Sequence, residues 1–295
     1  MSRSVGELNI GPLRFVLRPE PDGPVRYSAP AYAGFCASPV HLPLAELPVD
    51  IRSECLALPK DKPLFQAGGH WGVWETGGEW LFAVGLQAPP SLRRACRVPR
   101  GLSGAELTID PAAGPDAVRE SPLRYPLDQI LSWGLLSKIG GVLLHAAAAV
   151  QADGTGWVLA GRSGAGKSTL AGLCHAQGWR ILNDDRVMVF RRDGGWRVAG
   201  TPWHGSGRFA EAAEVPLGGV ALLAQAPENR FESLTASQAR LALLDVAAVP
   251  WFAEEWSQGV LDGLDRLVRE IPPVRLHFTR TAEAVRMLAG EAVMA

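Results

Sequence analysis

The chain carries the sequence WVLAGRSGAGKST at residues 157–169, and this stretch decides the fold that we predict. Within its last nine residues, residues 161–168 fit the P-loop pattern G-x-x-x-x-G-K-[ST]. The four residues before them are apolar and predict a buried strand, while the residues from Leu170 onward have the apolar spacing of a helix. Because strand, loop and helix occur in the order that the pattern requires, we favour nucleotide binding over a glycine-rich turn with a solvated lysine.

The residue types of this loop explain how it would hold a nucleotide. Its glycines allow a tight turn that places backbone N–H groups around a phosphate chain. Lys167 would reach the β- and γ-phosphates, and the hydroxyl of Ser168 would ligate Mg²⁺. The predicted cofactors are therefore ATP and Mg²⁺. The predicted nucleotide-binding residues are Gly161, Ser163, Gly164, Ala165, Gly166, Lys167, Ser168 and Thr169.

The composition argues against two classes of binding partner, nucleic acid and membrane. The chain has 295 residues, 47% of them hydrophobic, and a net charge of −1. No general basic field would recruit nucleic acid, and no apolar run of about 18 residues predicts a membrane span. Four scattered cysteines without a C-x-x-C pair indicate reduced thiols and a cytoplasmic protein. We expect a nucleotide and a phospho-acceptor as partners, neither nucleic acid nor membrane, and association of identical chains stays open.

The sequence divides into two regions of different character. Residues 1–115 are rich in proline and short apolar runs, which predict a mostly β region that is a candidate for substrate binding or interaction. Within it, Gly77-Gly78 separates two apolar runs and predicts a hairpin. Residues 125–295, which begin with a predicted helix from Leu127 to Lys138, form the predicted catalytic domain.

Two further features could complete a site beside the P-loop. An apolar run from Arg180 ends in Asp184 and Asp185, and two adjacent carboxylates resist joint ionisation unless they share a cation such as nucleotide-bound Mg²⁺. The alternative is a solvated turn, in which Asn-Asp-Asp is common. His145 lies inside the apolar run 142–150, where histidine on spacing alone reads as a hydrogen-bonded core residue.

Taken in order, the stretches 145–150, 161–169 and 180–185 resemble the core of the HPr serine kinase/phosphorylase and ATP-dependent phosphoenolpyruvate carboxykinase superfamily. The likeness is strongest over residues 140–200. It implies an α/β fold with a P-loop kinase core of the HPr kinase/phosphoenolpyruvate carboxykinase type, preceded by the mostly β N-terminal region.

The resemblance also implies roles for individual residues. Lys167 would bind the β- and γ-phosphates, while Ser168 and Asp184 would hold Mg²⁺. Asp185 would be the base that takes a proton from the acceptor hydroxyl, and His145 would lie at the γ-phosphate or the metal. Which aspartate is the base and which is the metal ligand stays open.

The implied activity is Mg-ATP-dependent phosphotransfer to a hydroxyl. The first candidate acceptor is a serine or threonine of a peptide or small protein, and the alternatives are a small-molecule acceptor or a nucleotide-dependent regulatory module without transfer. In the loop 200–208, His204 and Arg208 are candidates for contact with the γ-phosphate or a substrate anion, with a plain surface loop as the equal alternative.

Overall fold

The computed structural model describes residues 6–37, 39, 41–56 and 58–290. These residues form seventeen strands, five α-helices and three short 3-10 helices. They fall into two compact units that divide between Leu135 and Leu136, here called the N-terminal and C-terminal units. No helix in these described ranges has both the length and the apolar character that crossing a membrane needs.

The N-terminal unit is built on one sheet of eight strands. These are β1 (Gly6–Ile10), β2 (Leu13–Pro19), β3 (Ala45–Ser53), β4 (Phe65–Ala67), β5 (Trp71–Thr76), β6 (Glu79–Val84), β7 (Arg94–Pro99) and β8 (Ala105–Ile109). Their order in the sheet is β1-β2-β3-β8-β7-β6-β5-β4. The predicted hairpin at Gly77-Gly78 is confirmed, because β5 and β6 pair antiparallel and both glycines have positive φ.

The C-terminal unit contains the remaining elements, and helix α1 (Leu127–Lys138) runs through the point of division. The strands are β9 (Val142–Leu144), β10 (Ala146–Val150), β11 (Gly156–Ala160), β12 (Arg180–Asn183), β13 (Val187–Arg192), β14 (Gly195–Ala199), β15 (Glu214–Gln225), β16 (Arg230–Ser233) and β17 (Val274–Phe278). The helices are α2 (Lys167–Ala176), α3 (Ala236–Leu244), α4 (Glu254–Glu270) and α5 (Ala282–Leu288).

Strand β15 organises the nine-stranded sheet of this unit. Its first residues pair antiparallel with β14, its middle pairs parallel with the P-loop strand β11, and its last residues pair parallel with β17. Beyond β11 the sheet continues through β10 to β12, and beyond β14 it continues through β13 to β9. Because β11 and β17 both run parallel to β15, their carboxyl ends lie at the same edge as the P-loop.

The P-loop strand is buried on both faces. Val158 and Ala160 belong to a core cluster that includes residues of α3 and α4, whereas Leu159 belongs to a second cluster that includes residues of α2 and α5. This explains why the strand reads as a continuous apolar run rather than as an alternating one.

The predicted fold class is wrong. The sequence predicts an α/β protein with a P-loop kinase core of the HPr kinase/phosphoenolpyruvate carboxykinase type, whereas the protein is mostly β, with two large mixed sheets of eight and nine strands and few helices. An α/β core joins parallel neighbours by crossover helices. Here most neighbouring strands are antiparallel, and turns such as Asp193–Gly194 between β13 and β14 leave no length for a helix.

Candidate functional site

The glycine-rich loop links β11 to α2 and has a backbone that requires its glycines. Gly164 and Gly166 have φ values of 82° and 101°, in the left-handed region. A Cβ at Gly166 would lie 2.6 Å from Cζ of Phe278, and one at Gly161 would lie 2.7 Å from Cβ of Ala165. The pattern therefore reflects close packing of this loop as well as its turn geometry.

Lys167, the first residue of α2, folds back onto the loop. Its side chain is largely buried, with 7% of the residue exposed, and Nζ donates to the carbonyl oxygens of Gly161 (2.8 Å) and Arg162 (3.2 Å). Burial lowers the pKa of Lys167, and the charge of Arg186 lowers it further, while the charge of Asp185 opposes both. The ammonium group is thus held at the loop where a phosphate chain would lie.

The turn after β12 is held by Asn183. Its buried carboxamide oxygen accepts the backbone N–H groups of Asp185 (2.7 Å) and Arg186 (2.8 Å), and its Nδ2 donates to the carbonyl of Thr201 (2.8 Å). Such a turn lets the two consecutive aspartates leave the strand in different directions. The Asn-Asp-Asp sequence is therefore a turn, but it is not the solvated turn of the alternative reading, because Asn183 and Asp184 are buried and both aspartates line the cleft.

Asp184 is almost completely buried, with 2% of the residue exposed. Its Oδ1 accepts the backbone N–H of Gly205 (2.9 Å), and its Oδ2 accepts that of Gly207 (2.6 Å). A Cβ on either glycine would lie within 2.9 Å of Asp184 Oδ2. Asp184 therefore fastens the loop 204–208 beside the P-loop, a role that the sequence did not indicate.

Asp185 forms a pair with His145. Its Oδ1 lies 3.0 Å from His145 Nδ1, and Arg186 Nε lies 3.7 Å from its Oδ2. Burial raises the pKa of Asp185, but the hydrogen bond from His145 and the charges of Arg186, His145 and Lys167 together outweigh it, so the pKa lies below its ordinary value. Asp185 is accordingly an ionised carboxylate at neutral pH.

His145 lies at a break between two strands, although the run 142–150 is apolar on both sides of this residue. Its backbone N–H donates to the carbonyl of Val246 (2.7 Å), while the N–H of Ala146 donates to the carbonyl of Asp185 (3.0 Å). The run 142–150 is thus divided into β9, which pairs with β13, and β10, which pairs with β11 and β12. The break turns the imidazole toward the carboxylate of Asp185.

These elements enclose a cleft of about 300 Å³. Nine of the residues predicted from sequence line it: His145, Ser163, Gly164, Gly166, Lys167, Ser168, Thr169, Asp184 and Asp185. Gly161 and Ala165 are not among the lining residues and lie against each other within the loop. His204 and Arg208 do not line the cleft; both are exposed, and Nδ1 of His204 pairs with the carbonyl of Gly205 (2.9 Å). Their contact with a phosphate or substrate stays a prediction.

Sequence reasoning missed four residues that line the cleft: Gly205, Ser206, Gln225 and Arg280. Gln225 ends β15 and donates through Nε2 to the carbonyl of Gly164 (2.9 Å), and Arg280 donates to Oε1 of Gln225 (3.0 Å). Arg280 follows the end of β17. The sequence around Arg280 contains no local signal for this position. It could be predicted only from the sheet topology, because β17 runs parallel to β15 and therefore ends at the same edge of the sheet as the P-loop strand.

The donor set fits a magnesium ion bound together with a nucleotide. The hydroxyl of Ser168 and the carboxylates of Asp184 and Asp185 line one cleft, and such oxygen donors suit Mg²⁺, which completes its coordination with phosphates and water. In the part of the chain that the structure describes, no group of three or more His, Cys, Asp or Glu residues could hold a metal ion without such help. Ser168 and Asp184 stay the predicted ligands.

The chain is thus a mostly β protein whose P-loop motif, histidine and paired aspartates meet in one cleft. Residues 130–280 match the family model described as "SynChlorMet cassette protein ScmC". This match covers just over half of the chain and includes every residue of the cleft, so the chain belongs to the ScmC family. No curated protein matches the chain.

Proposed function

We propose that the protein is a Mg-ATP-dependent kinase that transfers the γ-phosphate to a hydroxyl group. One observation carries this proposal: the ionised carboxylate of Asp185, paired with His145, lines the same cleft as Lys167 and Ser168 of the P-loop. Ser168 and Asp184 are the predicted Mg²⁺ ligands, so a cleft that only bound nucleotide would not need the second carboxylate, that of Asp185.

The nucleotide half of the site uses the P-loop. The backbone N–H groups before α2 would surround the phosphates, and Lys167 would exchange its two carbonyl partners for phosphate oxygens. Ser168 would hold Mg²⁺, with Asp184 close by. The metal, when bound with ATP, neutralises charge that develops on the transferred group.

The acceptor half uses Asp185 and His145. Phosphoryl transfer passes through a loose transition state, so it requires positioning of the hydroxyl more than a strong base. A carboxylate that is ionised at neutral pH can accept the hydroxyl proton as the bond to phosphorus forms. Nδ1 of His145 lies 3.0 Å from Oδ1 and 3.1 Å from the main-chain carbonyl of Asp185, so donation from Nδ1 would fix Asp185 and leave Nε2 for the γ-phosphate or the metal.

The likeness of the three motifs to HPr kinases supports a serine or threonine of a peptide or small protein as the first candidate acceptor. A small-molecule acceptor would use the same residues. Arg280 is a further candidate for charge stabilisation, because it lines the cleft and is positioned through Gln225. Its side chain would be drawn to the nucleotide phosphates, as arginines are in other phosphotransfer sites.

The test is transfer of label from γ-phosphate-labelled ATP with Mg²⁺ in a lysate of the organism that encodes the chain. We expect label on a discrete peptide, protein or metabolite with the wild type, and a decrease of orders of magnitude with D185N. ATP affinity, measured by calorimetry, should be retained in D185N. The variant K167M should lose at least about tenfold in ATP affinity, because a charged hydrogen bond contributes about 1.5–3 kcal/mol.

K62M, which removes an exposed lysine of the N-terminal unit, is the matched control and should bind ATP as the wild type does. Equal transfer by the wild type and D185N would remove Asp185 as the base. Label that appears only as free phosphate, with ATP binding intact, would instead favour a nucleotide-dependent regulatory module. Unchanged ATP affinity in K167M would reject the nucleotide site itself.

A further inference from the structure

The N-terminal unit contains a second and larger cavity. Its volume is about 780 Å³, which is within the range of small-molecule binding sites. It is lined by residues at the ends of β4 to β7 and by the segment 124–126 that precedes α1. No motif of the sequence points to it, and it shares no residue with the P-loop cleft.

Two arginine side chains line this cavity without an acidic partner. Arg94, at the start of β7, is 4% exposed, and its Nε has no hydrogen-bond partner. Within the described part of the chain, the guanidinium groups of Arg94 and Arg124 form neither an ion pair nor a hydrogen bond. A buried carboxylate of the same unit, Asp128, accepts the hydroxyl of Tyr32 (2.5 Å) and the N–H of Gln129 (2.8 Å).

The positive charge of Arg94 lies in an unfavourable environment. Burial lowers the pKa of Arg94 to about 10, and the charge of Arg124 adds to this effect while Tyr27 opposes it. Arg94 is therefore still charged at neutral pH, although it is removed from water and has a second cation nearby. A buried charge of this kind is costly unless it is paired. An anion in the cavity would supply the missing pair.

The other walls of the cavity are mainly apolar. Trp71 lies edge-on to Trp133, with ring centroids 6.1 Å apart, and is tilted against Phe65 at 5.2 Å, so its ring is fixed by packing. Val84, Leu92 and Pro126 complete this surface. Arginines next to a rigid aromatic wall suit a ligand that joins an oxyanion to a flat apolar body.

We propose that this cavity binds a small organic anion, with its carboxylate or phosphate group held by Arg94 and Arg124 and its apolar, ring-sized body against Trp71. The guanidinium fork is the side-chain group that matches both oxyanions through two parallel hydrogen bonds. This site is independent of the proposed kinase function, because none of its residues belongs to the P-loop cleft.

The test is calorimetric titration of the full chain with three probes: phenyl phosphate, phenylacetate and the neutral benzyl alcohol. We expect saturable binding of at least one oxyanion, at least about tenfold tighter than that of benzyl alcohol. The tighter of the two oxyanions then identifies the anionic group. R94M should weaken this binding at least about tenfold, because it removes a charged hydrogen-bond donor.

R52M is the matched control, since Arg52 is an exposed arginine of the same unit that pairs with Glu20, and it should bind as the wild type does. R94M should also have a higher thermal midpoint, because methionine removes an unpaired buried charge. If R94M fails to fold, R124M carries the same test. The proposal is overturned if neither oxyanion binds at millimolar concentration, if benzyl alcohol binds equally well, or if a folded R94M or R124M binds like the wild type.

Discussion

Asp184 and Asp185 are adjacent in sequence, yet their carboxylates have different partners. Asp184 is buried and accepts two backbone N–H groups of the loop 204–208, whereas Asp185 pairs with His145 at the cleft. The sequence predicts that both lie at the site, but it could not distinguish them. Their difference depends on the turn held by Asn183 and on a loop that follows some twenty residues later, neither of which has a recognisable motif.

The pair of His145 and Asp185 predicts a pH dependence of phosphate transfer. Asp185 accepts a proton only above its pKa, and the pKa is held low in part by His145. In H145A the hydrogen bond and the charge are lost, so the pKa of Asp185 rises and the acidic limb of the pH–rate profile moves to higher pH. The measurement is the rate of label transfer between acidic and neutral pH.

H175A serves as the control for this experiment, because His175 is exposed and contacts Phe209 rather than an aspartate. Its acidic limb should match that of the wild type. The stability of the fold should also decrease at acidic pH. The interactions of Asp185 stabilise the fold above the pKa that Asp185 has in the unfolded chain, and this stabilisation is lost as the pH falls through its pKa in the folded chain. An unshifted acidic limb in H145A would show that His145 does not tune the carboxylate.

At the scale of elements, the sequence predicts individual helices and strands better than their pairing. The predicted bounds of α1 and the predicted hairpin at β5–β6 agree with the structure, because local periodicity and turn residues determine them. The length of β15 could not be predicted. Only 219–223 reads as an apolar run, and the remainder of the strand is specified by its neighbours β14 and β17. The fold class was wrong for the same reason, since pairing partners decide it.

The geometry of the loop between β11 and α2 predicts that alanine substitutions at two of its glycines will lower the free energy of unfolding by different amounts. Gly164 and Gly166 both have positive φ, but a Cβ meets nothing within 4 Å at Gly164 and meets the ring of Phe278 at 2.6 Å at Gly166. G164A should therefore cost only the backbone strain of about 1–2 kcal/mol. G166A should cost more, because the ring or the loop must also move.

Chemical denaturation of both variants, with ATP titration of whichever folds, checks this prediction. G164A is the internal control for strain without a clash. Equal losses of unfolding free energy in the two variants would show that packing of the loop against β17 does not determine its position.

At the scale of the whole molecule, a chain with a net charge of −1 places cationic side chains in two cavities, and those of the P-loop cleft lie beside the carboxylates of Asp184 and Asp185. The cleft of the C-terminal unit contains Lys167 and Arg280, and the cavity of the N-terminal unit contains Arg94 and Arg124. The first was predictable because its lysine lies in a continuous motif. The second was not, because its two arginines are thirty residues apart in sequence and only the packing around β7 brings them to one cavity.

The two cavities predict separate footprints in hydrogen exchange. Mg-ATP should slow exchange of the amides in residues 161–176, and the oxyanion probe should slow exchange around residues 84–94, because each ligand stabilises the segment that contacts it. Mass-spectrometric exchange on the full chain measures both. K167M should lose only the first footprint and R94M only the second. A footprint of either ligand at the other ligand's segment would contradict the assignment of two sites.

The attachment of the loop 204–208 has a consequence for how this family could diversify. Asp184 holds the loop by accepting hydrogen bonds from the main-chain N–H groups of Gly205 and Gly207. The side chains at 204, 206 and 208 take no part in these hydrogen bonds. Mutation can therefore exchange those three side chains while the loop keeps its place beside the P-loop. Under the proposed function, recognition of the acceptor and transfer of phosphate would depend on separate residues, and a new preference could evolve in this loop without a change in Lys167 or Asp185.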